Sequence, residues 1–159
     1  MGIRDFELAW RWTDPKYVEL PPDILDRISA LGTESAAAVH DRWFPCFDKH
    51  GQIIPSKFSR VERCRTEGTS HGDSCRRESP LIQQVADWLR TQETNCDLSV
   101  VVSWRRDCAV QTTWEIFSLW WDDFCYGGSD DVLIVPESSN WMLAFDHEDE
   151  FSFCHCPLA

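Results

Sequence analysis

At 159 residues, 43% of them hydrophobic and with nine Trp and nine Phe, the chain has the length and apolar content of one globular domain rather than a disordered segment. All 15 Lys and Arg fall within residues 1–106, beside 16 of the 27 Asp and Glu; residues 107–159 hold the other 11 acids and no basic residue. The net charge of −12 therefore resides almost wholly in the last third, and that sign argues against nucleic acid as a direct ligand, because phosphate binding needs cations.

The first residues, MGIRDFELAWRW, carry charges where a signal peptide needs an apolar core, and Phe6 stands where a myristoylation signal needs Ser or Thr. No apolar run reaches the length of a membrane span. A cytoplasmic protein with no membrane partner is expected. Eight cysteines (Cys46, Cys64, Cys75, Cys96, Cys108, Cys125, Cys154 and Cys156) form no C-x-x-C pair and are expected as reduced, mostly buried thiols.

The segment DFELAWRW (5–12) alternates, with Phe6, Leu8, Trp10 and Trp12 on one side, and predicts a strand. Breaks at 14–16 and 20–23 follow. After Pro21–Pro22, Ile24, Leu25, Ile28 and Leu31 fall at helical spacing, and Gly32 predicts the stop. Thr33 is the expected N-cap of a second helix, with Glu34 in its first turn and Pro45 as its end. Residues 48–79 show one short strand signal at Gln52–Ile54, and 62–79 reads as a long loop.

SPLIQQVADWLRTQ (79–92) predicts an amphipathic helix, with Ser79 as N-cap and Pro80 in its first turn. DLSVVVSW (97–104) predicts a strand from its β-branched run. Trp114, Phe117, Trp121 and Phe124 recur at helical spacing over 113–125, with a strand through 108–117 as the alternative. Three short strands, 131–136, 140–147 and 150–155, close the chain as a meander. Within it Trp141, Leu143 and Phe145 share one side, where Phe151 and Phe153 pack beside them. The fold class is α+β in a single domain, 1–159, with helices packed on one face of an antiparallel sheet.

Four chemistries compete for the acidic third. Cys154-His155-Cys156 offers zinc ligands, but neighbours on a strand face opposite ways, so only Cys154 and Cys156 converge; the rest would have to come from Cys64, His71 or Cys75. Asp131, Asp146 and Glu148 lie at the ends of neighbouring strands and suit a divalent cation, which makes a metal-dependent hydrolase the alternative reading. That chemistry wants a cation against developing charge, and the last third supplies none. Cys125 with His147 would form a nucleophile–base pair, yet nothing in their spacing unites them. Apart from these four, Cys154 and Cys156 suit a regulatory role as oxidation-sensing thiols.

The fourth chemistry is a docking face. Asp122, Asp123, Asp130, Asp131, Asp146, Glu148, Asp149 and Glu150 are interleaved with Trp120, Tyr126 and Trp141. Carboxylates steer a cationic protein and set its register, while Trp and Tyr anchor it. A binding protein without catalytic residue, metal or cofactor is the reading that follows.

The stretch FCYGGSDDVLIVPESSNWMLAFDHEDEFSF (124–153) resembles the C-terminal part of small bacterial proteins of unassigned function. In those a DDFCYP-SDD helix end leads to a strand, a W-x-L-x-x-x-H-E hairpin and a last aromatic strand. Trp141, Leu143, His147 and Glu148 match the hairpin; Gly127–Gly128 replace the proline. Proteins of this size and style are often immunity proteins encoded beside delivered toxins. The resemblance covers the last third of the chain and implies a cognate toxin as partner, a basic nuclease-type effector neutralised by occlusion. It implies no catalytic residue.

Overall fold

The C-terminal meander is the centre of the molecule. The computed structural model describes residues 2–66 and 79–157. Seven strands form one antiparallel sheet: β1 (Ser29–Ala30), β2 (Arg60–Arg65), β3 (Ser99–Arg105), β4 (Cys108–Thr113), β5 (Val132–Pro136), β6 (Trp141–Asp146) and β7 (Glu150–His155). Their order is β1-β4-β3-β5-β6-β7-β2. Among the described residues six α-helices accompany them: α1 (Trp10–Thr13), α2 (Pro22–Leu25), α3 (Thr33–Trp43), α4 (Pro80–Gln92), α5 (Trp114–Leu119) and α6 (Trp121–Phe124). The fold is α+β, as the sequence predicts.

The larger core lies on one face of the sheet. Trp141, Leu143 and Phe145 on β6 join Phe151 and Phe153 on β7, and Phe145 is paired with Phe151 and Leu143 with Phe153. The apolar stripe of α4 (Ile82, Val85, Ala86, Leu89) covers them together with Trp114, Phe117, Trp121 and Phe124 of α5 and α6. Buried indoles need an acceptor for their N–H. Here Trp114 donates to the Glu93 carbonyl at 2.8 Å, Trp121 to that of Ile82 at 3.1 Å, Trp12 to that of Asp123 at 3.2 Å and Trp104 to that of Phe124 at 3.0 Å.

The opposite face carries a second, smaller core, and this corrects the expectation of helices on one face only. Ala36 and Trp43 of α3, with Phe58, pack on Val101, Val135, Met142 and Cys154. The reason is strand alternation: the residues between the large-core positions are themselves apolar along half of each strand, so that half needs its own cover.

Other expectations shift locally. Residues 5–12 are not a strand: Ile3–Asp5 is a 3-10 turn and Trp10–Thr13 a helical turn. Phe6, Ala9 and Trp12 enter the core at a spacing of three, and Trp10 stays 39% exposed, so the period of three prevailed over the period of two. The helix after Pro21 lasts one turn, because Ser29–Ala30 leave it to pair with Gln111 and Val110 of β4. Gly32, not Thr33, is the N-cap of α3, and no side chain caps it. The expected helix over 113–125 is two pieces broken at Trp120, and its strand alternative is β4, so each reading holds for part of the segment. Of the expected loop at 62–79, residues 62–65 belong to β2, and 67–78 lie outside the described residues.

Candidate functional site

Strand register arranges the α3-covered face of the sheet in three successive rows. The first is apolar: Val101 is paired with Val135, and Cys154 lies between Met142 and Val61. It is the row under Trp43 and Phe58. The second row, two residues further along each strand, runs Ser103, Leu133, Ala144, Ser152, Arg63, each the direct partner of the next across five strands. The third is charged: Asp146 is paired with Glu150 and Glu150 with Arg65, while Asp131 stands one position beyond the Val132–Phe145 pair and Arg105 ends β3. Side chains two apart share a face, so a sequence period of two becomes an apolar, then small, then charged surface.

The small second row is the floor of a cleft of about 190 Å³. Its walls come from the end of α3 and the segment after it, chiefly His40, Phe44, Phe47 and Ile53. Phe44 is 63% exposed, the most exposed large hydrophobic side chain among the described residues. Its ring lies 5.6 Å from that of His40. Asp131 and Asp146 close the charged end, together with Arg63 and Arg105.

The two arginines are already engaged. Arg63 donates to Glu150 at 3.1 Å, and Arg105 donates to Asp107 at 2.8 Å and to Glu7. The nearby Arg106 grips Asp41 through two bonds of 3.0 and 2.9 Å. Among the described residues no arginine or lysine pairs with Asp131, Asp146 or Glu148. Asp131 instead accepts from the His147 backbone N–H at 3.1 Å and meets its Nδ1 at 3.0 Å, which raises the imidazole pKa above 6.5. One oxygen of Asp146 accepts from the Glu148 N–H at 2.9 Å and holds the β6–β7 turn. Burial raises the Asp146 pKa above the usual 3.8, with the nearby Glu150 and Glu148 carboxylates adding to the rise.

The expected acidic face is thus divided. Asp131, Asp146 and Glu148 gather at one end of the sheet, with Asp149 and Glu150 on the same turn. Asp122 and Asp123 do not join them: they are 2% and 0% exposed, inside α6. Asp130 is mostly buried and held by Arg11 through bonds of 2.6 and 3.1 Å, while it also accepts from the Tyr126 N–H at 2.8 Å. Tyr126 is buried, its ring 4.2 Å from the Arg11 guanidinium. Trp141 is a core residue whose indole donates to the Glu93 carboxylate at 3.1 Å. Trp120 packs partly buried against the large core. The three aromatics expected as anchors are thus packed into the fold: Trp141 by strand alternation on β6, Trp120 at the break between α5 and α6, and Tyr126 against Arg11.

Phe44, His40, Arg63, Ser103 and Ser152 were not expected at a site. Small residues inside otherwise bulky strands, Ala144 in WMLAFD and Ser152 in EFSF, are the signal that marks them. Such positions leave the sheet uncovered where nothing large fills the space.

Three of the described thiols, Cys108, Cys125 and Cys154, are buried and held in the protonated form. Cys108 and Cys154 are pushed up to about 12 and Cys125 is raised as well, in each case by burial. Among the described residues no three His, Cys, Asp or Glu side chains cluster to hold a metal ion, and no helix is long and apolar enough to cross a membrane. Comparison with protein-family models, with curated proteins and with solved structures gives no match to this chain.

Proposed function

We propose that this protein works by binding, as an immunity-type inhibitor that receives a basic toxin at the carboxylate end of its sheet. The observation that carries this reading is the set Asp131, Asp146 and Glu148, carboxylates without a described arginine or lysine partner, beside the exposed ring of Phe44. Carboxylates of one sign speed encounter with a cationic protein, and an exposed aromatic beside a cleft supplies an apolar contact. The activity is occlusion of the toxin rather than chemistry on it.

The hydrolase alternative needs Asp131, Asp146 and Glu148 to share an ion. These three do not cluster for one, so it draws no support from their placement.

The experiment is recovery of a bound basic protein with tagged chain at low salt, followed by kinetics on the purified pair. Asp131→Lys with Glu148→Lys should slow association about tenfold or more, and added salt should do the same to the unmodified chain. Binding indifferent to both would overturn the reading. Asp122 and Asp123 are unsuitable for such reversal because they are buried.

A further inference from the structure

We propose that the cleft floored by Ser103, Leu133, Ala144 and Ser152 seats one arginine side chain of the partner, its stem along Phe44 and Phe47 and its guanidinium between Asp131 and Asp146. This rests on the partner reading above and adds the residue type and its seat.

Size argues first. About 190 Å³ is below the roughly 300–1,000 Å³ of sites that enclose whole small-molecule ligands, and it suits one long side chain. Polarity argues next. The lining is apolar and aromatic on the α3 side and hydroxylated at Ser103 and Ser152; at one end stand Asp131 and Asp146 together with Arg63 and Arg105, whose charges are met by Glu150, Glu7 and Asp107. A side chain that is apolar along its stem and cationic at its tip matches that sequence of surfaces. An anion matches it less well, because the charges of Arg63 and Arg105 are already balanced by Glu150, Glu7 and Asp107, whereas Asp131 and Asp146 have no described arginine or lysine partner.

Arginine suits the site better than lysine. Its planar head stacks on aromatic rings and presents a fork to two carboxylates, whereas lysine offers a strongly hydrated point charge. The chain itself houses one arginine in this way: Arg11 lies over Tyr126 and bonds Asp130 at two points.

The test uses the full, isotope-labelled chain and two probes of equal shape, N-acetyl-arginine methylamide and its uncharged citrulline counterpart, followed by amide NMR. The arginine probe should shift Phe44, Ser103, Ala144 and Ser152, and the citrulline probe should not. Asp146→Asn should weaken the arginine probe about tenfold, as loss of a charge-assisted bond does. Phe44→Ala, at an exposed position that the fold does not need, should weaken it as well.

Equal shifts from both probes, shifts elsewhere, or stronger shifts at these residues from inorganic phosphate would overturn the proposal. The partner reading is judged separately, on the purified toxin pair. A toxin that binds Phe44→Ala and Asp146→Asn as tightly as the unmodified chain, yet responds to Asp131→Lys with Glu148→Lys, overturns the arginine seat and leaves the partner reading standing. Failure to recover any basic partner, with the probe still bound in the cleft, overturns the partner reading and leaves a cation site without its proposed source.

Discussion

Arg11 and Asp130, 119 residues apart in sequence, join through two hydrogen bonds of 2.6 and 3.1 Å with little exposure of either side chain. The pair ties the first helical turn to the entry of β5. Arg11 also donates to the Phe124 carbonyl at 3.2 Å, so one guanidinium fixes both ends of the α6–β5 connection. Removing one member of a buried pair leaves the other charged and uncompensated. Arg11→Met should therefore lower unfolding stability by about 3 kcal/mol, read from urea denaturation. Asp131→Asn, at an exposed position of the same strand entry, should stay within about 0.5 kcal/mol of the parent. Equal losses from the two variants would show that the pair is not the tie described.

His147 gives a pH dependence whose sign is fixed. Asp131 raises its pKa above 6.5 in the folded chain. The stability this adds is complete below pH 6.5 and is lost as pH rises through the folded value. The imidazole is exposed, so the change is small; its clearer signature is the titration itself. Proton NMR should place His147 above 6.5, and Asp131→Asn should bring it back down.

Asp146 behaves in the opposite way from a stabilising carboxylate. Its folded pKa lies above 3.8, so the associated stability is present below pH 3.8 and is lost as pH rises through the folded value. Asn can still accept from the Glu148 N–H. Asp146→Asn should thus be as stable as the parent at pH 7 or more so, and the stabilisation should vanish below pH 3.8. A variant destabilised at pH 7 would mean that the ionised carboxylate holds the turn in a way an amide does not replace.

Gly127 and Asp149 constrain each other. A Cβ at Gly127 would collide with the Asp149 carboxylate. Asp149 itself sits at φ 64°, where a side chain is strained. Gly127 is not itself in the left-handed region, so Gly127→Ala should cost about 1 kcal/mol, through displacement of the Asp149 carboxylate alone. Thermal unfolding of Gly127→Ala beside Ser129→Ala, a solvent-facing neighbour, separates this clash from a general sensitivity of the turn.

Thiol reactivity should follow burial. Cys96 is exposed, while Cys108, Cys125 and Cys154 are buried. Iodoacetamide on the native chain at pH 8 should label Cys96 first and leave those three intact until the chain unfolds. Peptide mass mapping reads this directly. Early labelling of Cys154 would reopen a redox role for the last strand.

The last third was legible because its physics is local. β5, β6 and β7 are short apolar runs bounded by turn residues and follow one another through short turns, so their existence and order are read from the local sequence alone. The amphipathic stripe of α4 was legible for the same reason. The first third was not. Its alternation over Phe6–Trp12 coexists with a spacing of three, and only the large core, built by residues 80–153, selects between them. β2 was missed because RVERCR offers no apolar run; it is an edge strand whose outward residues are charged. The candidate site was legible in type but not in membership. Sequence marks carboxylates, yet whether an acid meets an arginine, as Asp130 meets Arg11, depends on tertiary approach.

The strand order has a consequence for synthesis. β1 and β2, the two strands from the first 66 residues, are the two edges of the sheet and pair with β4 and β7. A ribosome releases them long before their neighbours exist. β1 cannot dock until residues 108–113 have emerged, nor β2 until residues 150–155 have, so the sheet closes only after β7 has been made. Until then the apolar N-terminal segments need protection. The arginine-rich β2 is the part of the early chain best suited to wait in water without recruiting a foreign strand.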